Sequence, residues 1–179
     1  MIIRMLIVFI TISINSVAEN DISLNTVPMV DLKKYSGTWY EIAKIPNRFQ
    51  KNCISDTTAT YNLSDNGRIS VVNKCLDKKG KLLVAEGIAK IVDTNSNSKL
   101  KVSFFSIFGW HLFWGDYWII GLGDDYDYAI IGHPDRKYGW ILNRTPQLSK
   151  EKNEEIFKII ENSGYNPDKF EFPKQDYND

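Results

Sequence analysis

Histidine and cysteine are scarce in this chain of 179 residues, two of each. His111 and His133 stand at no metal-ligand spacing from each other or from cysteine, so no metal site is expected. The chain holds no Gly-x-Ser-x-Gly, phosphate-binding loop or dinucleotide fingerprint, and with them go the usual sequence signals of hydrolase, nucleotide and dehydrogenase chemistry. Asp124, Asp125 and Asp127 lack the spacing and terminal Glu of a calcium loop and read as a solvated turn. An excess of charge is missing too. With 22 basic and 22 acidic side chains there is no broad cationic field to neutralise nucleic-acid phosphates, and nucleic acid is not an expected partner. After residue 18 no apolar run approaches the ~20 residues that cross a bilayer as a helix. No cofactor is expected, and no enzyme.

What remains is enough for one globular domain with a sizeable core: 43% of the residues are hydrophobic and 13% aromatic. Residues 1–18, MIIRMLIVFITISINSVA, carry Arg4, a short apolar stretch and small residues at Ser16 and Ala18. That is the layout of a signal peptide cleaved after Ala18. Residues 19–29 form an N-terminal extension, 30–173 the domain, and 174–179 a polar, disordered tail. No cysteine lies near the cleavage point to carry a lipid, so a soluble exported protein is expected, in the periplasm or at the outer-membrane periphery if bacterial and secreted otherwise. Export places Cys53 and Cys75 where thiols oxidise. They flank a hairpin signal, TTATYNL and RISVVNK around Ser64-Asp65-Asn66-Gly67, so antiparallel pairing brings them together as a disulfide.

Short segments rich in β-branched and aromatic residues recur between compact turn signals, and predict eight strands over 38–45, 55–63, 68–76, 82–92, 99–105, 116–122, 128–132 and 138–144. The connections are short enough for sequential antiparallel pairing. The expected fold is all-β: an eight-stranded antiparallel up-and-down β-barrel, closed so that no edge is exposed, with an interior for one small ligand. One C-terminal α-helix follows, capped by Ser149, with an apolar stripe at Ile156, Phe157, Ile159 and Ile160, and stopped at Asn162-Ser163-Gly164. It is expected to sit outside the barrel.

Alternation along the strands nominates an inner face. Ala85, Gly87 and Ala89 put small residues on one face of the fourth strand, leaving space. Ala43, Ala59, Tyr61, Asn73, Val102, Phe104, Tyr117 and Trp140 are the other candidate ligand contacts, with hydroxyl and amide groups offering hydrogen bonds. A fully packed core is the competing reading of the same alternation. Glu41, on the face of Trp39, is the one acidic side chain suspected inside, as a structural carboxylate or, in an enzyme, a general acid or base. Asn62-Leu63-Ser64 and Asn143-Arg144-Thr145 match the glycosylation acceptor pattern.

The run Val30–Ala43, with Gly37-Thr38-Trp39-Tyr40 at its centre, resembles the first signature of the lipocalins. Gly115-Asp116-Tyr117-Trp118 is similar to the second, and Trp140–Pro146 to the third, whose arginine falls at Arg144. ATYNLSDNGRISVVNKC and HPDRKYGWILNRTP resemble most the bacterial outer-membrane lipocalins and their apolipoprotein D-like relatives. The resemblance spans about 30–172. It implies the barrel, the flanking helix and a cup for a hydrophobic ligand such as a fatty acid or lysophospholipid, with Gly37, Trp39 and Arg144 structural. Arg144 over the Trp39 indole would close the narrow end by a cation–π contact. The 104–114 segment is unusually aromatic for a connection; a homodimer or other protein contact, a peripheral membrane contact and folding back on the barrel are all open.

Overall fold

The computed structural model describes residues 23–176; the expected cleavage point and residues 177–179 lie outside them. Strands β1 (Gly37–Lys44), β2 (Ser55–Leu63), β3 (Ile69–Leu76), β4 (Leu82–Ile91) and β5 (Lys99–Ser103) are followed by a small hairpin, β6 (Phe105–Ile107) and β7 (Trp110–Leu112). Strands β8 (Gly115–Leu122), β9 (Tyr128–Gly132) and β10 (Gly139–Asn143) complete the sheet. Helix α1 (Leu32–Tyr35) precedes β1 and α2 (Lys150–Asn162) follows β10. The barrel closes in the order β1-β10-β9-β8-β5-β4-β3-β2, so the eight expected strands are the eight staves. Because every pairing is antiparallel, the β1–β2, β3–β4, β5–β8 and β9–β10 connections share one end, and α1 shares the other with the remaining three.

Two apolar layers hold the barrel. The inner one gathers Trp39, Tyr61, Ile69, Val71, Ile119 and Ile131. The outer one joins Ile42, Ile130 and Ile141 to Ile156 and Ile160 of α2. Ser149 caps α2 by accepting from the Lys152 amide, and Gly164, at φ +77°, ends it where other side chains are disfavoured. Leu24 is buried in the outer layer and the Val27 amide bonds the Ile119 carbonyl, so the described part of the N-terminal extension, residues 23–29, is tied to the barrel.

Three expectations need correction. Alternation puts Ala43 inside, but a bulge between Glu41 and Ala43 inserts one residue, and both Ile42 and Ala43 face the outer layer while Lys44 turns inward. Residues 174–176, expected to belong to a disordered tail, are bonded to the barrel. β1 pairs β2 only from Gly37 to Tyr40, and residues 171–176 fill the gap above: Lys44 and Glu171 exchange backbone bonds of 3.0 and 2.8 Å, the Asp56 amide bonds the Lys174 carbonyl, and the Gln175 amide bonds the carbonyls of Glu41 and Thr57. Lastly, the fifth strand ends at Ser103, short of the expected 105, because the aromatic segment forms its own hairpin. That hairpin projects from the barrel, with most of its apolar side chains exposed, and folding back is confined to its two ends, Phe104 against Gly87 and Trp114 under Lys90 of β4. The buried Ser103 hydroxyl donates to the Leu112 carbonyl at 2.6 Å and ties the hairpin base to the barrel.

Candidate functional site

The narrow end is sealed by the residues of the three sequence signatures. Arg144 lies 3.7 Å over the Trp39 ring. Its guanidinium donates to the carbonyls of Lys34, Tyr35, Ser36, Thr38 and Tyr126 at 2.7–3.2 Å. Gly37 has φ +100°, and a Cβ there would stand 3.3 Å from the guanidinium, so glycine both makes the turn and leaves Arg144 its place. The Trp39 indole donates to the Tyr35 carbonyl. Above this plug the hydroxyls of Tyr35 and Tyr61 each meet that of Tyr117, at 2.6 and 2.9 Å. Burial raises all three phenols, which are neutral at ordinary pH and exchange hydrogen bonds with one another. The void at this level, lined by Tyr61, Ile69, Ala89, Val102 and Tyr117, has a volume of about 10 Å³. It would hold one water and no lipid chain. Tyr61, Ala89, Val102 and Tyr117 therefore form a floor.

The other half of the interior is open. Ala85 faces inward, paired with Asn73, and is nevertheless exposed. Phe104 also turns inward and lies against Gly87, where a Cβ would stand 2.7 Å from its ring. Opposite them is a polar wall. The Gln50 amide donates to Glu41 Oε2 at 2.6 Å, while its carbonyl oxygen accepts from the Trp140 indole and from Asn47. Lys44 Nζ stands 3.0 Å from Glu41 Oε1, buried with it. Burial pushes the Glu41 carboxyl above the usual carboxylate range, against the opposing pull of Lys44 and Gln50.

Partners are missing in this half. Glu41 Oε1 and Lys44 Nζ have only each other, as the ion pair at 3.0 Å, and Thr57 Oγ1 and Asn73 Oδ1 are buried with no hydrogen-bond partner. The remaining two such atoms among the described residues, on His111 and Gln175, also belong to the open half. Buried polar atoms are normally paired, so a cluster of orphans on one wall marks where water or a ligand's polar group completes the set. Of the expected contacts, the structure places Ala59, Asn73, Ala85, Phe104 and Trp140 around this upper cup and Tyr61, Ala89, Val102 and Tyr117 in or beside the floor. Lys44, Gln50 and Thr57 escaped the sequence reading. A bulge hid the first, and the second reaches the wall from a loop.

Cys53 and Cys75 are joined, which anchors the loop carrying Asn47 and Gln50 to β3. Asn143, one of the two glycosylation acceptors, is buried with its amide bonded to Thr145 and Gln147, so it is not an available acceptor.

A closed eight-stranded antiparallel barrel with a plugged end, an open end and a helix against its flank defines a class of proteins built around an internal cup. Residues 30–175 match the lipocalin-like domain family, and the chain belongs to it. It is 38% identical over 146 residues to the outer membrane lipoprotein Blc of Escherichia coli, covering 81% of this chain and 79% of that one. It is 43% identical over 132 residues to apolipoprotein D of Rattus norvegicus, covering 68% and 64%. Among solved structures, insecticyanin from the tobacco hornworm Manduca sexta matches with a TM-score of 0.69 at 25% identity, over 87% of this chain and 85% of that one.

Proposed function

We propose that the protein is a non-enzymatic carrier that holds a single-chain amphiphile, a fatty acid, lysophospholipid or similar lipid, in the open half of the barrel for lipid handling in the cell envelope or outside the cell. The observation that carries this reading is that small inward-facing residues, Ala59, Ala85 and Gly87, lie beside buried polar atoms of Thr57 and Asn73 that lack partners. The chain lies along Ala85 and Gly87 after Phe104 swings aside, and its polar end meets Lys44, Thr57 and Asn73. About ten buried methylenes contribute ~8 kcal/mol before ordering costs are subtracted, enough for micromolar binding without a charge pair. The names of its relatives, a lipoprotein of the outer membrane and an apolipoprotein, agree with a lipid-associated role.

Glu41 is the residue on which an enzymatic reading would stand. Its carboxyl is held by Gln50 and paired with Lys44, and among the described residues no further acid or base is in contact with it. That arrangement suits a wall that orients a ligand better than one that moves protons.

Native mass spectrometry of detergent-free protein, together with titration by a fluorescent fatty acid, tests the carrier. Ala85→Trp fills the exposed wall and should weaken binding at least tenfold, ~1.4 kcal/mol or more, with little change in melting temperature. No co-purifying lipid and no saturable binding by the native protein would end this reading.

A further inference from the structure

We propose that the open end docks on an anionic lipid bilayer, led by the β6–β7 hairpin. Phe108 and Gly109 form its two-residue turn, both at positive φ, +49° and +80°. Such turns favour Asn-Gly, and a phenylalanine there carries a conformational cost. The side chain gains nothing from packing in return: Phe108 is 98% exposed. Phe113 repeats the pattern at φ +57° and 82% exposure, and Trp110 is 76% exposed beside them. The 104–114 segment contains no Asp, Glu, Lys or Arg. Aromatic rings on an uncharged, projecting hairpin fit the interfacial layer of a membrane.

Charge supplies the second argument. The four connections at this end hold seven basic residues (Arg48, Lys51, Lys78, Lys79, Lys81, Arg136 and Lys137) against Asp77 and Asp135, net +5. The three at the plugged end hold Asp65, Asp93, Asp124, Asp125 and Asp127 against Arg68, net −4. The C-terminal strip adds Lys174 against Glu171 and Asp176 to the first end, giving +4, and α1 and the seal add Lys33, Lys34 and Arg144 against Asp31 to the second, giving −2, so the polarity survives. A chain with no net charge is thus dipolar along the barrel axis. An anionic surface would attract the mouth and repel the plug, presenting the hairpin to the lipid and the cup to the bilayer. This does not depend on what the cup holds.

The test is co-sedimentation of the protein, recovered after export, with vesicles of phosphatidylcholine alone or with 30% phosphatidylglycerol. Binding should need the anionic lipid and weaken as salt is raised from 50 to 300 mM. Phe108→Asn suits the turn, so folding and melting temperature should hold while partitioning falls about tenfold. Lys78→Glu with Lys79→Glu should reduce it as much through charge alone. Absence of binding to anionic vesicles at low salt, or undiminished binding by both variants, overturns the proposal. So does a dimer in sedimentation velocity that Phe108→Asn dissolves when no vesicle binding is seen, which would make a second copy the occupant.

Discussion

The plugged and open halves of this barrel are made from the same strands and solve opposite problems. In the plugged half every strong donor is satisfied: one guanidinium serves five carbonyls, and the phenols of Tyr35, Tyr61 and Tyr117 bond one another. In the open half every orphaned buried polar atom of the described residues is found. Unsatisfied buried groups cost stability, so the open half must be held by what surrounds it, the inner apolar layer below and the disulfide beside it. The contrast teaches that a stable foundation lets the rest of the interior remain incomplete until a ligand arrives.

Removing the foundation should produce the largest effect. Arg144→Ala strips five carbonyls of their donor and Trp39 of its cation, and is expected to cost about 3–4 kcal/mol, lowering the melting temperature by on the order of 10 °C. Lipid affinity of the protein that remains folded should change little, because Arg144 is remote from the upper cup. A normal melting curve with lost affinity would place the ligand at the wrong end. The next largest change joins the halves. Cys53→Ser with Cys75→Ser opens a loop spanning a sequence separation of 22 and should cost ~3 kcal/mol, read by denaturant unfolding. It also frees the loop that carries Gln50, so affinity should fall together with stability.

Two tryptophans on one strand sharpen the boundary between the halves. Ala89 borders a void of about 10 Å³, whereas Ala85 is exposed four residues away on the same inward face. Ala89→Trp should overpack the floor and cost about 1–3 kcal/mol of stability, whereas Ala85→Trp should cost under ~0.5 kcal/mol and act on affinity instead. Equal melting temperatures for the two variants would show that the floor lies lower than Tyr61 and Tyr117 place it.

The plugged half was legible in the sequence and the open half only partly. Gly37, Trp39 and Arg144 are read easily because each performs a backbone or stacking task that few other residues can, and the eight staves follow from alternation and turn chemistry. Alternation also shows that the face of Ala85, Gly87 and Ala89 is small, but not that Phe104 lies over Gly87 or that the floor seals at Ala89, since those depend on where neighbouring strands stop. A single inserted residue at the β1 bulge moved Ala43 out and Lys44 in. No periodicity announces a bulge, and it determined half of the polar wall.

The smallest expected effect concerns that wall and sets its charge state. Burial raises Glu41 above its unfolded pKa, while Lys44 and Gln50 favour the anion. Between the two pKa values the folded protein therefore binds more protons than the unfolded chain, so the contribution of Glu41 to stability is fullest below about pH 4 and declines as pH rises through the raised value. Glu41→Gln should remove this decline and leave a flatter stability profile from pH 4 to 8 in urea titrations. The slopes, not the absolute stabilities, must be compared, since the variant also leaves Lys44 without its counter-charge. If instead the native protein gains stability over the variant as pH rises, Lys44 outweighs burial and the carboxyl is an anion throughout. In that case the pair would present a fixed charge on each member to an incoming lipid headgroup. A flattened profile would mean that burial outweighs Lys44 and Gln50 in setting the affinity of this carboxyl for its proton.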